Sequence, residues 1–86
     1  MQADPKKVLR YLKTVRGQLD GIIQMVEDDR YCIDISNQVM ASTALLNKAN
    51  RLILEAHINH CIKDALNNGD EAKVKEVLDI LEKLNR

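Results

Sequence analysis

The chain has 86 residues, no Trp or Phe, two Tyr and a 45% hydrophobic content, so its core is aliphatic and its length fits one domain, residues 1–86. No run approaches the ~20 apolar residues of a membrane-spanning helix. The formal net charge of +0 hides a segregation, because residues 1–16 carry Lys6, Lys7, Arg10, Lys13 and Arg16 against Asp4 alone, a net +4 balanced by −4 in the rest.

The first predicted helix starts near Asp4-Pro5, a capping residue followed by proline at the first helical position. Val8, Leu12, Val15, Leu19, Ile22 and Val26 recur in steps of four and three, a heptad-like stripe. Gly17 and Gly21 lie one turn apart and would let another helix approach closely. The basic residues can bind phosphate or form an ordinary solvated helix face. Glu27-Asp28-Asp29-Arg30-Tyr31 is polar and reads as a turn.

The second helix is expected from about Cys32 to Asn67, with no Gly or Pro to interrupt it. Ile35, Val39, Ser42, Leu46, Ala49, Ile53, Ala56 and His60 form one stripe, and Met40, Ala44, Leu45, Leu52 and Ile58 widen it. A helix apolar over more than one side packs against more than one neighbour, here helix one and a second chain. Asn67-Asn68-Gly69-Asp70 is a stop followed by a new cap. The third helix then covers about Glu71 to Leu84, with Val74, Val77, Leu78, Leu81 and Leu84 apolar. A long middle helix with two shorter partners cannot bury all these positions in so small a monomer, so an obligate oligomer is expected.

Cys32, His57 and Cys61 carry the chemistry. His57 and Cys61 are four apart and share a helix face. Two thiolates and an imidazole make a soft, low-coordinate donor set that suits Cu(I), or Zn(II) with a further ligand. The bland reading is a pair of buried helix cysteines and a satisfied histidine. Cys32 and Cys61 are 29 positions apart, ~44 Å along one straight helix, so they cannot share a metal within one chain. Two antiparallel chains could bring Cys32 of one beside His57 and Cys61 of the other, unless a kink near Ser42-Thr43 folds the helix back. A Cys–His nucleophile is a further possibility, but the pattern offers little of the pocket or oxyanion donors that catalysis needs, and no enzyme is expected. His60 lies on another helix face and reads as a packing or surface residue. The N-terminal residues show no apolar signal segment, so a cytoplasmic location with reduced thiols is expected.

Three segments together carry a resemblance: Leu12-Lys13-Thr14-Val15-Arg16-Gly17-Gln18-Leu19-Asp20-Gly21-Ile22, Asp29-Arg30-Tyr31-Cys32-Ile33-Asp34-Ile35 and Leu54-Glu55-Ala56-His57-Ile58-Asn59-His60-Cys61. They resemble the copper-sensing operon repressor family (CsoR). The resemblance implies an all-α fold of three helices with a long central one. It implies an antiparallel dimer of helical hairpins that assembles into a tetramer, a dimer of dimers. It further implies a repressor that binds operator DNA when metal-free and releases it on binding Cu(I). Cys32 of one protomer and His57 and Cys61 of another would be the ligands, with Tyr31 and Glu76 supporting them. Glu76 aligns only if one residue is deleted in the Gly69-Asp70-Glu71 turn. Lys48 and Arg51 match basic family positions, whereas the usual basic position of helix one falls on Tyr11, beside Arg10. DNA binding is therefore expected from Arg10, Lys13, Arg16, Lys48 and Arg51.

Nickel and cobalt sensors of the superfamily resemble this chain but use an N-terminal histidine, and none precedes His57 here. Formaldehyde sensors carry Glu at the Cys61 position, and persulfide sensors lack the histidine. The alternatives are a dithiol or other-metal sensor of the same fold, or a helical interaction module with no role on DNA.

Overall fold

The computed structural model describes residues 1–69 and 71–84, apart from the side chains of residues 65, 66 and 84. Three helices follow in order: α1 (Pro5–Glu27), α2 (Cys32–Asn68) and α3 (Glu71–Leu84). There is no strand among the described residues. Among the described residues, no helix is long and apolar enough to cross a membrane.

α1 begins as its sequence dictates. The Asp4 carboxylate accepts the Lys6 backbone N–H at 3.0 Å, and Pro5 occupies the first turn, where its missing N–H costs nothing. The helix ends in a Schellman turn. The Arg30 N–H donates to the Met25 carbonyl at 3.0 Å and the Asp29 N–H to the Val26 carbonyl at 3.1 Å. This closure requires a left-handed residue, and Asp29 takes it at φ 52 where glycine is usual. At the far end of α2, Gly69 takes the same region at φ 66. Asp70, expected as the cap of α3, lies outside the described residues. α3 carries Glu71 in its first turn and Lys83 in its last, signs that suit the helix dipole.

α2 runs 37 residues without a break, and its ~55 Å of rise accounts for the 56 Å length of the molecule. The fold-back near Ser42-Thr43 does not occur. Ser42 is 4% exposed and its hydroxyl donates to Gln18 Oε1 at 2.7 Å, across to α1, so it does not disturb its own helix.

α1 lies antiparallel along α2, α3 packs on the end of α2, and α1 and α3 do not touch among the described residues. The core is thin: among the described residues, Ala3, Val8, Val15, Ala49 and Val77 are its buried apolar side chains. The α1 stripe divides. Val8 and Val15 are buried and Ile22 is half-buried, but Leu12, Leu19 and Val26 stay 40–60% exposed, so only one edge of the stripe meets α2. On α2, Ser42 and Ala49 are buried, while Val39, Met40 and Leu46 are exposed. Among the described residues, no other element comes within 4 Å of a Cβ built on Gly17 or Gly21, so no close helix approach is made there within one chain.

Candidate metal and DNA-binding site

Helical spacing sets His57 and Cys61 on one face of α2, and the structure shows how closely. His57 Nε2 and Cys61 Sγ are 3.3 Å apart. Two ligands of one tetrahedral zinc would have a sulfur–nitrogen separation of about 3.6 Å, so the pair already stands near ligating distance. His57 is exposed and Cys61 half-buried, leaving the imidazole accessible. Cys61 is a free thiol.

α3 turns the pair into a concavity. Val77, 6% exposed, anchors α3 on α2, and a 360 Å³ hollow opens between them, lined by His57, Cys61, Asp64, Lys73 and Glu76 among others. Glu76 therefore stands on the wall of the hollow that His57 and Cys61 also line. His60 also reaches this hollow but is committed to Asp64, Nε2 to Oδ2 at 3.3 Å, one helical turn on. Asp64 was not among the residues expected from the sequence, although its i,i+4 spacing from His60 is the signal that could have found it.

Cys32 is a different matter. It is the first residue of α2, a free and exposed thiol, with Tyr31 66% exposed beside it. The unbroken helix holds both ~44 Å from Cys61 along its axis. One chain thus brings together His57, Cys61 and Glu76, and leaves Cys32 and Tyr31 at the opposite end. No group of three potential metal ligands forms among the described residues of one chain.

The basic residues gather by register. Ser42 pairs with Gln18, and Leu52 and Ala56 face Lys7 and Ala3 across a shared cleft. The antiparallel register these pairs define sets Lys48 near Leu12 and Arg51 near Leu9. Lys48 and Arg51 therefore lie along the same stretch of the hairpin as Arg10, Lys13 and Arg16. All five are exposed, and none is held in an ion pair among the described residues. Tyr11 is half-buried between them in sequence.

The profile of metal-sensitive transcriptional repressors matches residues 4–83. The chain belongs to this family. It is 40% identical over 81 residues to the copper-sensing transcriptional repressor CsoR of Bacillus subtilis, covering 93% of this chain and 80% of that one. It is also 40% identical over 80 residues to CsoR of Mycobacterium tuberculosis, covering 92% and 67%. Among solved structures, the nickel-responsive transcriptional regulator InrS superposes with a TM-score of 0.81 at 30% identity, covering 98% of this chain and 96% of that one. Cu(I)-bound CsoR of Geobacillus thermodenitrificans superposes with a TM-score of 0.79 at 35% identity, covering 94% and 85%. The chain is thus a metal-sensing transcriptional repressor by family, and its relatives are regulators rather than enzymes. The fold is shared by copper- and nickel-responsive proteins, so backbone shape does not choose the metal.

Proposed function

We propose that this protein is a Cu(I)-responsive repressor that binds operator DNA when metal-free and releases it when the metal binds. The choice of metal rests on the donors. Two thiolates and one imidazole are soft and few, which favours Cu(I) over the nitrogen- and oxygen-rich sets that suit Ni(II). No histidine precedes His57 to supply another nitrogen. The relatives named copper-sensing support the same reading.

The single observation that carries it is the 3.3 Å His57–Cys61 pair on a helix that keeps Cys32 at its far end. Cys32 of one protomer completes the site with His57 and Cys61 of its partner, and a two-fold axis makes two such sites. These residues would hold Cu(I), which when bound would supply metal–ligand bonds to both chains. The chain's own residues do the rest. His57 ligates while Glu76, with Tyr31 of the other protomer, takes the remaining ring N–H and fixes the imidazole. Arg10, Lys13, Arg16, Lys48 and Arg51 hold the phosphate backbone, and operator choice leans on DNA shape as well as base edges. The assembly is a homotetramer of antiparallel dimers in the cytoplasm, where the thiols stay reduced. The imidazole beside Cys61 favours metal capture over a purely dithiol sensor.

The test is a Cu(I) titration of the reduced protein followed by a salt-dependent DNA-binding assay on the region upstream of its gene. One Cu(I) per protomer with loss of DNA affinity supports the reading. Tight Ni(II) binding in preference to Cu(I), or DNA binding that ignores Cu(I), overturns it.

A further inference from the structure

Ala3, which precedes the first helix, is 7% exposed and belongs to the core. With Gln2, Asp4 and Lys7 it lines one wall of a 280 Å³ cleft, and Leu52, Glu55, Ala56 and Asn59 of α2 line the other. Leu52, Ala56 and Asn59 recur in steps of four and three, one face of the helix. His57 follows Ala56 directly and lies about 100° further round. The same two turns of α2 thus hold the N-terminal segment on one face and the His57–Cys61 pair on the next.

The segment is also fixed to α1. The Asp4 carboxylate caps the helix through Lys6, the Asp4 carbonyl accepts the Val8 N–H at 3.2 Å, and Val8 is 4% exposed. Ala3 therefore moves with α1, whose first turns carry Lys6, Lys7, Arg10 and Lys13.

We propose that residues 2–4, with Ala3 as the seated side chain, form a latch that transmits the state of the ligand turn to the basic start of α1. The proposal rests on the function argued above and names a path it does not contain, separate from Glu76 and α3. The Ala3 methyl offers neither a metal ligand nor a charge for phosphate, so its role is positioning. A shift or rotation of α2 at residues 56–61 moves the surface under Ala3, and the Asp4 cap passes that movement to α1.

Ala3→Glu forces a charge into the seat, and Ala3→Gly, which empties it, serves if the first variant does not fold. Ala3→Ser is the control of near-native size. Hydrogen exchange of the Val8 amide is followed in metal-free and Cu(I)-loaded protein, Cu(I) affinity by competition with a chromogenic chelator, and DNA affinity with and without Cu(I). In the wild type and Ala3→Ser, Cu(I) should change Val8 exchange at least threefold. In Ala3→Glu that change should vanish, Cu(I) affinity should stay within threefold, and the loss of DNA affinity caused by Cu(I) should shrink at least tenfold. A wild-type Val8 amide indifferent to Cu(I), or a seat variant that releases DNA as fully as the wild type, overturns the latch. If wild-type DNA binding itself ignores Cu(I), the functional reading fails, and Val8 exchange alone decides the latch.

Discussion

Cys61 and His57 already face each other at 3.3 Å, so on the proposed reading a metal would meet a preformed two-point chelate and take its third arm from another chain. Cys32→Ala and Cys61→Ala should each abolish tight Cu(I) binding, since each removes a thiolate. Mixing the two variants under subunit exchange should restore binding in part of the sites, because some dimers regenerate a complete set. A chelator competition that shows no recovery refutes the cross-chain assignment. Glu76, on the wall of the same hollow, should act on coupling rather than affinity. Glu76→Ala should keep Cu(I) with modest loss yet weaken the release of DNA, read as operator affinity with and without saturating Cu(I). At the turn before Cys32, Asp29 holds a left-handed conformation that disfavours residues with a Cβ. Asp29→Gly should raise stability by about 0.5–1 kcal/mol, the relieved strain less the entropy glycine adds to the unfolded chain. Urea denaturation at fixed protein concentration measures it, and a destabilised variant would mean the aspartate side chain matters more than the backbone.

Between elements, the α1–α2 register decides which basic side chains lie together. The Ser42–Gln18 hydrogen bond lies near the middle of that packed stretch, and Ser42 is nearly fully buried. Its register lays Lys48 and Arg51 alongside the basic turns of α1, all exposed and free of ion pairs among the described residues. Lys48→Ala and Arg51→Ala should therefore weaken DNA binding while leaving Cu(I) affinity nearly unchanged. The slope of log affinity against log salt should fall by roughly one for each phosphate that is no longer neutralised. An unchanged slope would remove these side chains from the DNA backbone.

The molecule as a whole is a slab, 56 × 27 × 12 Å, one helix thick. Its radius of gyration is 17.2 Å, against about 12 Å for a compact domain of this length. It exposes 6729 Å² of surface, where a compact 9.8 kDa monomer would expose about 5,200 Å². The excess, roughly 1,500 Å², exceeds the ~800 Å² each partner contributes to a standard interface. Leu9, Leu12, Leu19 and Ile23 of α1 and Val39, Met40 and Leu46 of α2 form much of it. Light scattering at micromolar concentration should report a tetramer. A stable, folded monomer would refute both the assembly and the shared metal site.

The sequence by itself determined the elements and one pair of the candidate site. Helix periodicity, the Asp4-Pro5 start and the Gly69 stop are local properties, fixed by spacing and backbone preference, and they define three helices with bounds within a residue of those observed. The His57–Cys61 pair was legible for the same reason, because four residues on a helix is a distance. So was the separation of Cys32 from that pair, once the helix was taken as unbroken. Only tertiary structure decided the rest. Nothing local says which edge of the α1 stripe meets α2, that Ser42 reaches Gln18, or that Ala3 is seated beside the ligand turn. Each depends on the register between helices far apart in the chain. Glu76 needed α3 to dock through Val77 before it could line the same hollow as His57 and Cys61. The left-handed Asp29 was not legible because the closing hydrogen bonds of the turn, rather than the residue's own preference, impose that conformation.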